Sequence, residues 1–328
     1  MPEQNETFQE HLKQSGVSRR TFLKFCGMMA GALALPLNYA SVIADALASA
    51  HRLPVIWLAF QDCTGDSESF LRAGKVQDVI ASGTTDPSVT ELLLDYLSLD
   101  YHETLMAPSG AASAKSLADT ISQNAGGYVV VVEGSIPTAQ NGIYCVINGR
   151  TAQSILQDVT SKAVGTIAMG ACATDGGLAA AAPNPTHAVG VSQAAPGAPN
   201  LINLPGCPAN VVNLVACLVY YLTFKQWPDL DPKSYKPLFA YGQDIHSNCE
   251  RKYFYDTGKF VQAWGDVGHQ AGWCLNKMGC KGPQTQSNCW NVKWNEGTNW
   301  PIGAGHGCIG CAAPGFWDKG IYTVVSAG

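Results

Sequence analysis

Charge is what this sequence has least of. Of its 328 residues, 14% are Asp, Glu, Lys or Arg, against roughly 25% in an ordinary soluble domain. With 20 basic and 25 acidic side chains the net charge is -5, so no basic stripe is available for a nucleic acid. A disordered chain is excluded too, because it combines much charge with few apolar residues. Long apolar runs are also missing. The longest after residue 50, Val211 to Phe224, is shorter than the roughly 20 residues of a membrane span and reads as a buried core helix. No apolar tail precedes Gly328, so no membrane anchor is expected in this chain. G-x-x-x-x-G-K phosphate loops, G-x-G-x-x-G fingerprints and nucleophile elbows are absent.

What is present begins with an address. Ser18-Arg19-Arg20-Thr21-Phe22-Leu23-Lys24 is a twin-arginine signature, followed by an apolar stretch broken at Pro36 and by small residues at Ala48-Ser49-Ala50. Residues 1–50 are therefore expected to be a leader removed on export of the folded chain to the periplasm. Export in the folded state points to a cofactor inserted beforehand.

The 12 cysteines point the same way. Cys26 lies in the leader, and the remainder is an odd number in a chain too large to need disulfide staples. Six crowd between Cys249 and Cys311, beside His246. So many thiols suggest iron–sulfur groups. Zinc is the competing reading, but it favours paired C-x-x-C knuckles and only Cys308-Ile-Gly-Cys311 has that spacing.

Length suggests about two domains at roughly 150 residues each. Residues 51–228 alternate strands and helices. Leu53 to Phe60, Tyr128 to Val132, Val164 to Met169 and Asn200 to Leu204 read as continuous, β-branched strands of a covered parallel sheet, with helices over Ala114 to Asn124 and Thr151 to Ala163. The fold class is α/β, doubly wound. Strand carboxyl ends of such a sheet share one edge, where sites form. Cys63-Thr-Gly-Asp66 follows the first strand, Glu133-Gly134 the second, Gly170-Ala-Cys172 the third and Pro205-Gly-Cys207 the fourth. Cys63, Asp66, Cys172 and Cys207 are thus expected to converge as ligands of one [4Fe–4S] group, with Glu133 nearby; the competing reading of these cysteines is small buried core residues. From 229 to 328 periodicity fades and Gly, Pro, Asn and Trp dominate, as in a loop-rich domain held together by metal.

In this order and spacing, Cys63-Thr-Gly-x-Ser-Glu-Ser, Leu99-Asp-Tyr-His-Glu103, Val132-Glu-Gly-Ser-Ile-Pro137, Asn184-Pro-Thr186, Pro205-Gly-Cys-Pro208, His246-x-x-Cys249, Gly272-Trp-Cys274, Gly279-Cys-Lys-Gly-Pro283, Asn288-Cys289 and Trp300-Pro to Gly307-Cys-Ile-Gly-Cys311 resemble the small subunit of [NiFe] hydrogenases. The resemblance implies a flavodoxin-like domain followed by a cluster-bearing domain, and an obligate large-subunit partner that carries the nickel–iron site. It implies a proximal cluster on the edge derived above, a medial [3Fe–4S] cluster on Cys289, Cys308 and Cys311, and a distal [4Fe–4S] cluster on His246, Cys249, Cys274 and Cys280. Pro301 stands where a fourth medial cysteine would be needed. The implied function is electron relay from H2 oxidation to a cytochrome or membrane acceptor, with no catalytic residue for H2 in this chain. Its low charge is expected to accompany a Trp-rich face toward the partner.

Asp66 departs from the family, most of whose members have cysteine there. A carboxylate can ligate iron, and C-x-x-D keeps the reach of C-x-x-C. Water or hydroxide as fourth ligand, or a three-iron proximal group beside Asp66, are the alternatives. Gly65 and Gly177 stand where one oxygen-tolerant branch carries extra cysteines, which excludes a six-cysteine proximal site. Asp175 repeats the C-x-x-D spacing and reads as an outer carboxylate or a helix-start residue. Cys145 and Cys217 read as structural thiols, and His102, His187 and His306 as buried, hydrogen-bonded histidines. The rival functions are an H2-sensing homologue, a disulfide-bonded periplasmic binding protein, and an iron–sulfur subunit of another exported oxidoreductase. The leader argues against the first. The third usually carries repeated C-x-x-C-x-x-C runs, which are missing here.

Overall fold

A computed structural model describes residues 7, 8, 10, 17–50, 52–72, 97–294 and 297–320. Five strands form one parallel sheet: β1 (Pro54–Ala59), β2 (Ser98–His102), β3 (Val129–Glu133), β4 (Gly165–Met169) and β5 (Leu201–Leu204). Their order is β2-β1-β3-β4-β5, the flavodoxin-like arrangement in which strand order reverses between β1 and β3. The four strands expected from apolar runs are all present. The edge strand β2 is additional: Ser-Leu-Asp-Tyr-His alternates in polarity, and its register with β1 slips between Val55 and Ile56.

Register explains the site. Ala59 pairs with Glu133, Glu133 with Met169, and Met169 with Leu204. The last residues of β1, β3, β4 and β5 therefore form one row, and the four following loops leave from a single edge.

Alternation along the strands divides the core between two faces. Trp57, Val131, Ile167 and Ile202 lie in one cluster, and Ile56, Leu58, Val130 and Val132 in the other. The second face is covered by helices α4 (Gly110–Gln123) and α5 (Ala152–Thr160). The first carries α7 (Val211–Phe224), whose apolar sequence is buried as expected, Cys217 included. Two short helices lie at the functional edge: α3 (Gly65–Leu71) after β1 and α6 (Gly170–Asp175) after β4.

The N-terminal segment also packs here. Helices α1 (Arg19–Ala32) and α2 (Tyr39–Ala48) lie against α7, and Phe25, Cys26, Ile43 and Leu47 are part of the first core cluster. Ser18 caps α1 by accepting from the Thr21 N–H at 3.1 Å, leaving Arg19 and Arg20 exposed at its start. Among the described residues no helix is long and apolar enough to cross a membrane.

Beyond Phe224 the described helices are of one or two turns. A small core of Ile245, Val261, Leu275, Trp300, Ile302 and Cys308 holds this region, with Cys249, Cys280 and Cys289 packed on it. The expected Trp-rich face is not found: Trp264 is the one exposed tryptophan among the described residues, and Trp300 is buried. Trp273, Trp290 and Trp294 pack inward instead, because this region has few aliphatic side chains to fill its core.

Candidate metal centres

The proximal edge is built around a buried carboxylate. Glu133 ends β3 and is 1% exposed. Its Oε1 accepts from the backbone N–H groups of Asp66 at 2.9 Å and Ser67 at 3.1 Å; its Oε2 accepts from Trp57 Nε1 at 3.0 Å and Ser67 Oγ at 2.5 Å. Glu133 thus latches the start of α3, where Asp66 sits three residues after Cys63. Because the Ser67 hydroxyl proton goes to Glu133, His102 Nε2, 3.1 Å from Ser67 Oγ, must be the donor to that oxygen. His102 Nδ1 then accepts from the Thr104 N–H and hydroxyl. This tautomer is neutral, and burial lowers the His102 pKa to about 4.

Asp66 is buried beside this latch. Its Oδ1 accepts from the Ala209 N–H at 2.6 Å, and a Cβ at Gly170 would fall 2.0 Å from its Oδ2. Gly170 also has φ +87°, so glycine is required there twice over. Burial raises the Asp66 pKa to about 8 against the hydrogen bond from Ala209, and the charges acting on it are the carboxylates of Glu133 and Asp62. Such a group calls for a cation. Cys172 and Cys207 lie within its electrostatic reach, and both feel Cys63 as well; burial, first among causes, lifts their thiols to about 12 and about 11. Three thiols and a buried carboxyl gathered at one sheet edge fit an iron–sulfur group, which would displace their protons. Gly65 and Gly177 leave room for ligands too, since a Cβ at either would meet the sulfur of Cys63 at 3.2 Å or of Cys172 at 2.6 Å.

The second set faces a cavity of about 1020 Å³ lined by Cys289, Cys308, Cys311 and Pro301, with Cys207, Met28 and Met29 also on its wall. Ser287 Oγ lies 3.0 Å from the Cys289 sulfur, and the Gly310 N–H donates to Cys308 at 3.4 Å. Three thiols around open volume, with a proline in place of a fourth, fit a three-iron group. The third set, His246, Cys249, Cys274 and Cys280, lines one small cavity. Burial lowers the His246 pKa, which keeps the imidazole neutral as ligation requires; the ring meets Tyr255 edge-on at 4.5 Å. The Arg251 N–H donates to the Cys249 sulfur at 3.4 Å.

All described cysteines are free. Among the described residues no three His, Cys, Asp or Glu side chains close on a single ion position. Asp175 closes α6 rather than opening it, and its carboxylate accepts from the Gly315 N–H at 3.1 Å, tying the C-terminal region to the sheet edge. His187 is exposed in a turn at φ +48°, not buried. Sequence reasoning missed Trp57, Ser67, the Ala209 N–H and Gly170. Of these, only Gly170, between a strand and Ala-Cys172, carried a local signal.

Comparison with known proteins decides the family. Residues 241–323 match the family of C-terminal regions of NiFe/NiFeSe hydrogenase small subunits, and residues 63–221 the family of the 20 kDa subunit of NADH ubiquinone oxidoreductase. The periplasmic [NiFe] hydrogenase small subunit 1 of Nitratidesulfovibrio vulgaris is 45% identical over 96% of this chain and 95% of its own length. The chain belongs to the [NiFe] hydrogenase small-subunit family. The uptake hydrogenase small subunit of Afipia carboxidovorans is 43% identical over 97% of this chain and 83% of its own. The fold of this small subunit matches a solved [NiFeSe] hydrogenase chain from Desulfomicrobium baculatum with a TM-score of 0.73, at 31% identity over 84% of this chain and all of that one. As a member of that family it serves as the electron-transfer small subunit within an H2-oxidising enzyme.

Proposed function

We propose that this chain holds three iron–sulfur groups and relays electrons through them from the nickel–iron site of a large-subunit partner to an acceptor in the periplasm or its membrane. The proximal [4Fe–4S] group would be held by Cys63, Asp66, Cys172 and Cys207, the medial [3Fe–4S] group by Cys289, Cys308 and Cys311, and the distal [4Fe–4S] group by His246, Cys249, Cys274 and Cys280. The observation that carries this reading is the gathering of scattered residues into three groups, one at the strand-end edge and two on separate cavities. When bound, such groups accept and release single electrons. The chain's own contribution is to bury them, keep His246 neutral and supply hydrogen bonds to the sulfurs. Asp66 offers iron a harder donor than thiolate, and its carboxyl, with no cationic neighbour among the described residues, supports ligation over mere proximity.

Co-purification with the large subunit tests this. About 12 iron atoms per heterodimer are expected, 11 in the two four-iron groups and one three-iron group of this chain and one in the partner's nickel–iron site. Electron paramagnetic resonance should show an oxidised [3Fe–4S] signal that disappears under H2. Zinc in place of iron, or an oxidised sample without that signal, refutes the assignment.

Residues 1–50 are read as a twin-arginine leader, residues 51–228 as the proximal domain and 229–328 as the domain of the other two groups. The exposed Arg19 and Arg20 support the first. Because α1 and α2 bury apolar side chains against α7, cleavage near residue 50 should uncover an apolar face. The cleaved chain is expected to bind a hydrophobic dye several-fold more strongly than the precursor, with the large subunit absent from both. Equal binding would show that the leader does not shield that face.

A further inference from the structure

The two C-terminal ligand sets touch through the backbone. The Cys308 N–H donates to the Cys280 sulfur at 3.3 Å, and the Lys281 N–H returns a hydrogen bond to the Cys308 carbonyl at 2.7 Å. Segments 280–281 and 307–308 therefore lie side by side as a short paired contact. Two glycines permit it. A Cβ at Gly307 would meet Cys280 Cα at 3.0 Å and Cβ at 3.1 Å, and a Cβ at Gly310 would meet Lys281 Cβ at 3.2 Å. Gly310 has φ +84°, so its glycine serves conformation as well; Gly307 has no positive φ, so a side chain there is opposed by the approach of Cys280 alone, which would have to give by a few tenths of an ångström.

We propose that this paired contact is the junction between the medial and distal ligand sets, with the Cys308 N–H to Cys280 sulfur bond coupling them and Gly307 as the positioning residue that lets it form. The inference rests on the ligand assignment proposed above. It makes Cys308 a ligand of one group and a hydrogen-bond donor to a ligand of the next. An N–H aimed at a thiolate favours the more negative, reduced state of the group that the thiolate holds. The bond also bridges the two sets without intervening solvent; one electron lost on the medial side is the one gained on the distal side, and no proton moves with it.

The test uses the complete heterodimer as wild type, Gly307→Ala and Gly197→Ala, the last at a position where a Cβ meets nothing within 4 Å. With cysteine labelled in ¹⁵N, electron–nuclear double resonance on the reduced distal group should detect an exchangeable, cysteine-derived N–H coupling in wild type and Gly197→Ala. Gly307→Ala should weaken that coupling, shift the distal midpoint to a more negative potential and slow distal reduction several-fold after mixing with H2. Its iron content and oxidised [3Fe–4S] signal should be retained. An absent coupling in wild type overturns the junction, as do an unchanged midpoint and rate in Gly307→Ala. If wild type lacks the [3Fe–4S] signal, the ligand assignment fails instead. Should Gly307→Ala not assemble, the wild-type coupling decides.

Discussion

Glu133→Gln is expected to release the proximal loop, lowering the unfolding temperature and removing proximal iron while the medial [3Fe–4S] signal persists. Glu133 sits among four donors: two backbone N–H groups, an indole N–H and a hydroxyl. An amide has one oxygen to offer them. If that oxygen keeps the Asp66 and Ser67 N–H groups, the new NH2 faces Trp57 Nε1. Ser67 can turn to accept, but an indole cannot, so one buried donor is left facing another. The cost is about 2–4 kcal/mol, or roughly 3–6 °C in a chain of this size. Ser67→Ala keeps the carboxylate with its backbone and indole partners but takes the acceptor from His102 Nε2–H, so it should cost about 1–2 kcal/mol and retain proximal iron. Thermal unfolding and iron analysis of both variants check this. Unchanged iron and unfolding temperature in Glu133→Gln would show that the latch does not hold the ligand loop.

Asp66 carries the second large effect, visible first in pH dependence. Its carboxyl has an ordinary pKa of 3.8 and is raised to about 8 in the folded, metal-free chain. Between these values the folded state keeps a proton that the unfolded state has lost, so stability falls as pH rises through that window. Asp62, Asp100, Glu103 and Asp175 are raised as well and add to the slope. The thiols of Cys172, Cys207 and Cys311, pushed up by burial, titrate above that window and do not. Asp66→Asn should therefore flatten the decline of the metal-free chain measured from pH 4 to 8, leaving the part due to the other carboxyls, opposed below pH 6.5 by His102, whose pKa lowered to about 4 adds stability as pH rises. Iron competes with that proton, so reconstitution of the unaltered chain should improve as pH rises toward 8. In the loaded enzyme, Asp66→Cys restores a thiolate and should change the proximal spectrum, whereas Gly170→Ala should expel the carboxylate and abolish four-ligand binding. Unchanged proximal spectra in Asp66→Cys would exclude Asp66 as a ligand.

Much of this was legible in the residues. Continuous β-branched runs such as Val129 to Val132 mark buried parallel strands, and a parallel sheet places all strand carboxyl ends on one edge. That rule alone brings Cys63, Asp66, Cys172 and Cys207 together. Strand β2 escaped because its alternating residues resemble a loop and its pairing is irregular. Burial of the tryptophans was misjudged because composition reports how apolar a segment is, not which way each ring turns.

By itself the sequence determined the α/β class, the candidate ligands with their division into early and late groups, and the family, because these depend on periodicity, spacing and residue chemistry along the chain. Only the tertiary structure decided how Glu133 latches α3, why Gly170 must be glycine beside Asp66, how α1 and α2 lie on α7, and where Cys308 meets Cys280. Each of those is a contact between segments without shared periodicity. Its geometry follows from strand register and from which backbones can approach closely, and neither is fixed until the chain has closed on itself.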